Sequence, residues 1–437
     1  MLNIKFIREN KELVQKNCEN RGVKCDIDRL LVLDEKRLEL LKEVEMLNAL
    51  KNDLNELVRE AKDEEEKKEA IEKGKEIKSK LEKSQPQLEK ISDEYKKILW
   101  QVPNIHSEDT PIGPDDSFNK VIKKVGDIPK FYFQPKEHWQ LGEELDLIDI
   151  PRATKVSGSR FAFIKGELVL LEYALMQFAF SVLTDEKILE KIIKDNNLNT
   201  ISKPFIPVLV PMIIRSGMMN RMARLNPEEM YALEKDDLNL IGSAEHTLGA
   251  MYADEILDVN QLPIRMVGFS SAFRREAGSY NRDMKGILRL HQFDKLEMES
   301  FTLPEKSLDE QNFIVAIQEY LMQALKIPYQ VVAICTGDMG GPDFRQIDIE
   351  SWMSGQNKYR ETHTSDLIGD FQARRLNTKV RRENGRLELV HMNDATAFSQ
   401  RPLIAILENY QQADGSVKIP EILVKYMPGG ISEIRSK

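Results

Sequence analysis

The stretch AFRREAGSYNRDMKGILRLHQFDKLEM, residues 272–298, decides the fold of the larger part of this chain. Its apolar ends flank a charged middle with two glycines, a pattern that predicts a strand, a charged loop and a return strand. We expect Arg274 and Glu276 to project from one face of the first strand, and Arg289 to enter the second. Arginines above a sheet face suit a polyphosphate, because guanidinium groups bind phosphate oxygens in pairs. The same arginines also suit a surface hairpin crossed by salt bridges.

The surrounding residues, from about 150 onwards, predict a mixed domain. A helical stretch at 166–183 is followed by strand-like runs at 205–211, 263–273 and 329–335. Because some strands follow one another directly, the pattern favours an α+β fold, with an antiparallel sheet flanked by helices, over a doubly wound parallel sheet. The sequence has no GxxxxGK[ST] loop and no GxGxxG turn after a strand, so the two commonest nucleotide-binding folds are not indicated.

Residues 28–99 predict an N-terminal antiparallel coiled-coil arm. They are rich in leucine, glutamate and lysine, and they contain one glycine, Gly74, and one proline, Pro86. Apolar residues recur at the spacing of a coiled coil: Leu33, Leu40, Leu47, Leu54 and Ala61, with Val44, Leu50, Leu57 and Val58 in the seam, and then Ile77, Leu81, Ser84, Leu88, Ile91, Tyr95 and Ile98. The charged stretch DEEEKKEA, residues 63–70, separates the two runs. We expect two helices of about 30–35 residues, joined by a short charged turn, that reach about 50 Å.

The heptads alone leave two uses of the arm open. It is a dimerisation device, or it contacts nucleic-acid phosphates through the lysines that are denser on its second helix. Proline and glycine punctuate residues 100–150, which we interpret as a linker into the second domain. We therefore expect an N-terminal domain at 1–105 and a second domain at 106–437.

Charge and composition exclude several classes of protein. The net charge of −9 argues against a protein that coats nucleic acid indiscriminately, although it allows a local basic face. No apolar run approaches the roughly 20 residues of a membrane span, and the charged N-terminus has no signal-peptide core. The three scattered cysteines fit neither a disulfide framework nor a zinc site. We expect no membrane association and a cytoplasmic setting.

Several strings resemble those of one enzyme family. Residues 273–276, FRRE, match the FRxE core of motif 2 of class II aminoacyl-tRNA synthetases, and the flanking AGSYNRDMKG and LHQFDKLE are similar to the seryl enzymes. Residues 391–410, HMNDATAFSQRPLIAILENY, resemble motif 3, and 166–183 with FIPVLVP resembles motif 1, with Pro211 as its proline. Three more strings agree: LIGSAEHTL (240–248), DIESWMSGQNKYRETHTS (348–365) and GDFQARR (369–375). The chain is identified as a member of the seryl-tRNA synthetase family.

The resemblance implies roles for particular residues. The implied catalytic residues are Arg274, Glu276 and Arg401. The implied ATP-binding residues are Arg274, Arg275, Glu276, Phe293, Glu361, Thr362, His363, Thr364 and Arg401, with Glu361 and Thr364 as Mg²⁺ ligands. The implied serine-binding residues are Ser243, Ala244, Glu245, Arg274, Glu297, Asn393, Ala395 and Thr396. Hard oxygen ligands such as these suit Mg²⁺.

The implied activity is ATP-dependent attachment of L-serine to tRNA(Ser) through a seryl-adenylate, with serylation of tRNA(Sec) where that tRNA is present. ATP and Mg²⁺ are the implied cofactors, the arm is implied to bind tRNA(Ser), and motif 1 implies a homodimer.

Two alternatives to this activity compete. A ligase that activates an amino acid for a carrier protein lacks such an arm, and the intact Arg274, Glu276, Glu361 and Arg401 argue against an inactive RNA-binding paralogue. With 36 residues after Arg401, we expect no C-terminal anticodon-binding domain.

Three departures from the family pattern concern serine recognition. A Ser or Thr is usual two residues after the motif 3 asparagine, but Asn393 is followed by Asp394 and Ala395, and Thr396 comes one place late. The SN pair that usually follows the magnesium site is absent, with Thr-Ser-Asp-Leu at 364–367, and Gln346 stands where a lysine is common. We expect Thr396, or a water held by Asp394, to supply the missing hydrogen bond, because an unpaired buried group costs about 1–3 kcal/mol.

Overall fold

The computed structural model describes residues 1–61, 63–277 and 285–436. The middle of the charged loop, 278–284, therefore lies outside the described residues. The chain divides into two compact units, 1–103 and 104–437.

The first unit is helical, and its helices are α1 (Ile4–Glu9), α2 (Lys11–Asn20), α3 (Ile27–Glu60) and α4 (Glu64–Leu99). Two polar contacts show how the long helices α3 and α4 run. Arg29 pairs with Glu94 at 3.0 Å, and Ser84 donates a hydrogen bond to Glu43 at 2.9 Å. Because residues further along α3 meet residues earlier in α4, the two helices are antiparallel, as predicted.

The turn between α3 and α4 is short, as predicted, since α3 ends at Glu60 and α4 begins at Glu64. The acidic residues 64–66 of the charged stretch form the first turn of α4, and the Asp63 carboxylate accepts a hydrogen bond from the Glu65 N–H at 3.1 Å. Unpaired N–H groups at a helix N-terminus stabilise negative side chains, so the charged stretch begins the helix. Pro86 lies inside α4, and the helix continues through it.

The seam of the arm differs from the predicted one towards its tip. Leu50 and Leu57 were placed in the seam, but their side chains are 44% and 56% exposed. The other two residues that were predicted to fill the seam do turn inward, since Val44 is buried and Val58 is half-buried. The return helix follows the prediction, since every predicted seam position from Ile77 to Ile98 is at least partly buried.

The second unit combines helices with several sheets. Its helices are α5 (His138–Glu144), α6 (Ile150–Ser157), α7 (Glu167–Leu183), α8 (Glu186–Asp195), α9 (Ser216–Met222), α10 (Glu245–Leu248), α11 (Ser307–Ala324), α12 (Phe371–Leu376), α13 (Arg401–Tyr410) and α14 (Glu421–Val424). Its strands are β1 (Lys120–Val125), β2 (Ile148–Asp149), β3 (Phe163–Ile164), β4 (Ile206–Leu209), β5 (Ile213–Arg215), β6 (Ala232–Leu233), β7 (Leu238–Leu240), β8 (Ile256–Asp258), β9 (Ile264–Phe273), β10 (Gln292–Thr302), β11 (Tyr329–Ala333), β12 (Arg345–Met353), β13 (Lys358–Gly369), β14 (Lys379–Arg381), β15 (Leu387–Leu389), β16 (His391–Ser399), β17 (Val417–Lys418) and β18 (Glu433–Ile434).

An eight-stranded sheet organises this unit, in the order β1-β11-β12-β13-β16-β10-β9-β4. Its neighbouring strands are antiparallel except for β4, which pairs in parallel with β9. The predicted α+β fold with an antiparallel sheet is therefore confirmed. Residues 100–150 are more than the predicted linker, because they contribute the edge strand β1 and helix α5. The lysines of β1 are typical of an edge strand, where charge discourages pairing with another chain.

One face of the large sheet carries the apolar core. Alternate residues of β10 and β16, such as Leu296, Met298 and Ala395, pack into a cluster with side chains of α7, α11 and α13. The opposite face carries polar side chains, since successive residues of a strand point to opposite sides.

Among the described residues, no single helix is long and apolar enough to cross a membrane. Helices α7 and α8 have the necessary length and apolar character only as a pair, and the pair is bent by 76°.

Candidate active site

A polar cavity of about 260 Å³ lies on the second face of the large sheet. Its walls come from β10, β13 and β16, from the segment after β9 and from the start of α13. The implied site residues that line it are Glu245, Arg274, Glu276, Phe293, Glu297, Glu361, Thr362, Thr364, Thr396 and Arg401. Two of these implied residues, Glu245 and Arg401, are 156 positions apart in the chain and yet share one cavity.

The motif 2 arginine lies beyond its strand. We expected Arg274 and Glu276 to alternate on β9, but that strand ends at Phe273. His291 holds Arg274 instead: the Arg274 N–H donates to the His291 carbonyl at 3.0 Å, and the His291 Nδ1 lies 3.0 Å from the Arg274 carbonyl. The guanidinium donates from Nε to the Gly242 carbonyl at 3.0 Å and lies 5.5 Å from the centre of the Phe293 ring. These contacts fix the cation above a ring that can also stack on a base.

Glu276 enters the cavity through an unusual backbone conformation. Its φ of +52° is left-handed, and this turns its side chain back towards the cavity, where Arg289 donates to its carboxylate at 2.5 Å. Arg275, between the two cavity residues, is exposed and lies 5.3 Å from the centre of the Tyr231 ring. It does not line the cavity, so the structure does not bring this implied ATP-binding residue to the others.

The motif 3 arginine and the implied magnesium ligands form a second group. Arg401, at the first position of α13, pairs with Glu361 Oε1 at 2.8 Å and donates to the Glu361 carbonyl at 3.0 Å. Thr364 donates to the same Glu361 oxygen at 3.4 Å. Between them, Thr362 shares a hydrogen bond of 2.8 Å with Ser351. These oxygens project from one region of β13.

His363 lies on the other side of β13. It is buried, its ring lies 5.6 Å from that of Phe398, and its Nδ1 is 2.9 Å from the Thr362 hydroxyl. Burial lowers the pKa of His363 to about 3, so the imidazole is neutral. The alternation of the strand therefore removes it from the cavity, contrary to its implied role in ATP binding.

The 243–246 turn presents one carboxylate. The Gly242 N–H donates to His246 Nδ1 at 3.1 Å, which ties the start of the turn to α10. Glu245 reaches the cavity, whereas Ser243 and Ala244 are fully buried and do not line it. The Ser243 hydroxyl lies 3.5 Å from the Lys295 ammonium, so it contacts the site through that residue.

Lys295 and Glu297 project together from β10 and pair at 2.5 Å. Burial raises the pKa of Glu297, although Lys295 opposes this effect. A buried carboxyl of this kind, next to a cation, suits hydrogen bonding to an ammonium or a hydroxyl of a ligand. Lys295 was not singled out from sequence, although the alternation with Glu297 in HQFDKLE was a usable signal.

Strand alternation separates the implied serine ligands of motif 3. Thr396 is the cross-strand neighbour of Glu297 and lines the cavity. Ala395 pairs with Met298 and packs in the apolar core, so the structure does not bring it to the cavity. Asn393 is fully buried, and its side-chain amide has no hydrogen-bond partner among the described residues. Of the residues after Asn393, Thr396 therefore presents a hydroxyl to the cavity, whereas Ala395 does not reach it.

Other polar groups also line the cavity, and two of them, Arg224 and Asp343, had no signal in the sequence motifs. Arg224, Asp343, Asp366 and Asp394 line it together with Glu245 and Glu297. Beside it, a second cavity shares Arg289, Glu361 and Arg401 with the first and adds Asp348 and Glu350. Five acidic residues of the cavity surround two cations, Arg224 and Lys295, and we call this region the acidic end: Glu245, Glu297, Asp343, Asp366 and Asp394. The other arginines of the cavity are Arg274, Arg289 and Arg401, of which Arg289 pairs with Glu276 and Arg401 with Glu361.

The fold and the cavity together define a class II aminoacyl-tRNA synthetase. A family model described as the tRNA synthetase class II core domain (G, H, P, S and T) matches residues 230–410, and one described as the seryl-tRNA synthetase N-terminal domain matches residues 1–106. The serine–tRNA ligase of Dictyoglomus thermophilum is 42% identical over 442 residues, with 100% of both chains covered. That of Rubrobacter xylanophilus is 38% identical over 98% of both chains. The chain belongs to the seryl-tRNA synthetase family.

Solved structures agree with this assignment. The seryl-tRNA synthetase from Pyrococcus horikoshii, complexed with ATP, superimposes with a TM-score of 0.85 at 36% identity, with 100% of both chains covered. The cytoplasmic enzyme from Naegleria fowleri, in complex with AMP, gives a TM-score of 0.80 at 27% identity, with 100% of this chain and 99% of that chain covered. Both likenesses extend over the arm as well as the sheet.

Proposed function

We propose that this chain attaches L-serine to tRNA(Ser) with ATP, in two steps at the cavity. In the first step, a serine carboxylate oxygen attacks the α-phosphorus, and pyrophosphate leaves to give a seryl-adenylate. In the second step, a terminal ribose hydroxyl of the tRNA attacks the seryl carbonyl carbon and loses its proton, and AMP leaves. The observation that carries the proposal is one cavity that is lined by the arginines of motifs 2 and 3, Arg274 and Arg401, together with the buried carboxyl groups of Glu245 and Glu297.

The residues need only position the reactants and offset charge. Arg274, fixed by Gly242 and Phe293, is placed to neutralise the α-phosphate while the attacking carboxylate approaches. Arg401 is placed for the outer phosphates, and Glu276 for the adenine amino group. Glu245 and Glu297 are the carboxylates that accept hydrogen bonds from the serine ammonium and hydroxyl. No nucleophilic side chain is required.

The oxygen atoms on β13 fit a magnesium ion. Glu361 and Thr364 place two oxygens 3.4 Å apart on the cavity wall, and Asp348 and Glu350 lie in the adjoining cavity. Carboxylate and hydroxyl oxygens are hard ligands of the kind that Mg²⁺ binds beside substrate phosphates. We propose that Glu361 and Thr364 hold Mg²⁺, which when bound offsets the charge of the departing pyrophosphate.

We propose that residues 1–105 form the tRNA-binding domain, with the arm as its contact, and that 106–437 form the catalytic domain. The match of the N-terminal family model and the likeness to solved synthetases along the arm support this division.

We also propose a homodimer. β4 is an edge strand that exposes Leu209 at 92% and Ile206 at 54%, and an apolar edge of this kind suits pairing with a second copy. Serylation of tRNA(Sec) and a cytoplasmic setting stay predictions.

The first test of the proposal is ATP–pyrophosphate exchange with each of the twenty amino acids, followed by charging of tRNA(Ser). We expect exchange that depends on serine, and transfer of labelled serine to that tRNA. Exchange without transfer to tRNA would favour the carrier-protein ligase, and absence of exchange would favour the inactive paralogue.

The position of Thr396 gives a second prediction. Thr396→Val removes the hydroxyl beside Glu297 and keeps the side-chain shape, so we expect the KM for serine in pyrophosphate exchange to rise about five- to tenfold, as for a lost hydrogen bond of about 1 kcal/mol. The KM for ATP should stay unchanged. Ala395→Ser is the matched control, because its hydroxyl would enter the core and not the cavity, and it should not lower the KM for serine. If Ala395→Ser tightened serine while Thr396→Val had no effect, the assignment of Thr396 would be wrong.

A further inference from the structure

A buried arginine, Arg224, joins four separate segments of the catalytic unit. It follows α9, and its side chain is 9% exposed. Its guanidinium pairs with Glu245 at 2.5 Å from Nε, with Asp343 at 2.5 Å, with Asp366 at 3.2 Å and with Asp394. These partners lie respectively on α10, in the loop before β12, on β13 and on β16. No role is implied for Arg224 by the motifs.

Two acidic residues at the departures from the family pattern contact this guanidinium. Asp366 stands where the usual SN pair is absent, and Asp394 directly follows the motif 3 asparagine. They are 28 residues apart in the sequence, but both are partners of Arg224 in the structure. These two residues therefore belong to one charged group at the acidic end of the cavity.

The group is tightly held. Burial opposes the charge of the guanidinium, but the carboxylates, Asp343 and Asp394 foremost, outweigh it and raise the pKa of Arg224 further above its ordinary value. The loop beside it has no spare room, since a Cβ at Gly340 would lie 2.4 Å from an Asp343 oxygen and 3.3 Å from Arg224 Nη1. Burial and the neighbouring acidic groups raise the pKa values of Asp366 and Asp394. A permanent cation that contacts four acidic side chains in a packed wall fixes the positions of those side chains.

The contacts of Arg224 reach the implied amino-acid ligands directly. Glu245 is one of its partners, and the side-chain oxygens of Glu245, Glu297 and Asp394 lie within 4.8 Å of one another. Asp394 and Thr396 project from the same face of β16 into the cavity. The guanidinium thus forms the wall behind the carboxylates that face a bound amino acid.

We propose that Arg224 is a positioning residue that sets the amino-acid specificity of this enzyme. It holds Glu245 and Asp394 beside Glu297, so that the acidic end accepts an α-ammonium group and a small side chain with a hydroxyl. The Arg224 guanidinium forms the wall of the cavity behind these acidic residues, so amino acids with longer or branched side chains are excluded. This inference rests on the proposed function, since it assigns the acidic end to the amino acid.

The test is Arg224→Lys, measured by pyrophosphate exchange with serine, threonine and alanine. Lysine keeps the positive charge, but its single ammonium group cannot contact all the acidic side chains that the planar guanidinium contacts. Several of these side chains are therefore left unpaired, and space opens at the wall of the cavity. We expect the KM for serine to rise about tenfold or more and the KM for ATP to change less than about threefold. The ratio of kcat/KM for serine to that for threonine should fall about tenfold.

Arg265→Lys is the matched control. Arg265 is also buried and is paired with Glu310 at 2.6 Å, but it lies outside the cavity. We expect Arg265→Lys to lower the thermal unfolding temperature and to leave the ratio of the KM for serine to the KM for ATP unchanged. If Arg224→Lys behaves like Arg265→Lys, or shifts both KM values equally, Arg224 is structural and the proposal fails.

A second variant covers a failure of Arg224→Lys to fold. Asp343→Asn keeps the shape of one Arg224 partner and removes its charge, and we expect a rise of about threefold or more in the KM for serine with the KM for ATP unchanged. An unchanged KM for serine in this variant would overturn the proposal. Failure of the proposed function is separate, because it would appear in the wild-type enzyme, either as absence of serine-dependent exchange or as exchange without transfer of serine to tRNA(Ser).

Discussion

Replacing Arg274 with alanine should lower serine-dependent ATP–pyrophosphate exchange by about 10²-fold or more, as the loss of a preorganised charge contact to a transition state usually does. The guanidinium is fixed by the Gly242 carbonyl and the Phe293 ring, and it lines the same cavity as Glu297 and Arg401. Its removal should act mainly on kcat, because the α-phosphate gains negative charge only as the serine carboxylate attacks. Exchange rates at saturating serine and ATP measure this effect.

The neighbouring arginine provides the control for that experiment. Arg275→Ala removes the same charge one residue away, but the Arg275 side chain is exposed and lies against Tyr231, outside the cavity. We expect its exchange rate to stay within about threefold of the wild type, as for most surface substitutions. If Arg274→Ala retains wild-type exchange, or if Arg275→Ala loses as much as Arg274→Ala, the placement of the α-phosphate at Arg274 is wrong.

Much of the fold was predictable because periodicity encodes which side of an element is buried. Alternation in HQFDKLEM separates Lys295 and Glu297 from Leu296 and Met298, and the structure places the two pairs on opposite faces of β10. The strand limits were harder, since β9 ends at Phe273 and Glu276 adopts a left-handed φ that no residue pattern announces. In the arm, a seven-residue repeat left open whether the third or the fourth residue after each leucine turns inward.

Site residues that belong to one sequence motif could be predicted from the sequence. Contacts between site residues that are far apart in the sequence could not. Motif 3 indicated its arginine, but a register argument was needed to see that Thr396 faces the cavity and Ala395 the core. Arg224 could not be found in this way. Its hydrogen-bonded partners Asp343 and Asp394 are 119 and 170 residues further along the chain, and each of them alone resembles an ordinary acidic residue.

Deleting the arm should separate the two half-reactions. Removal of residues 30–98, closed by a short linker, should leave serine-dependent exchange within about threefold of the wild type and lower tRNA charging by about 10²-fold or more, as the loss of many phosphate contacts does. The physical reason is that the described cavity residues all lie between 224 and 401. Exchange and charging measured on the same preparation test this. Equal loss of both activities would show that the arm is needed for folding or catalysis.

A shortened arm makes the same prediction without removing the base of the hairpin. Deleting 47–60 from α3 and 64–77 from α4 removes two heptads from each helix and keeps the facing register, because the same number of residues leaves both sides of the turn. The buried contacts near the base, such as Ser84 with Glu43, remain. If the outer half of the arm contacts the tRNA, charging falls while exchange and the circular dichroism of the helices per residue stay unchanged. Charging that survives this deletion but not the removal of 30–98 would place the tRNA contact on the inner half, and charging that survives both would exclude the arm from tRNA binding.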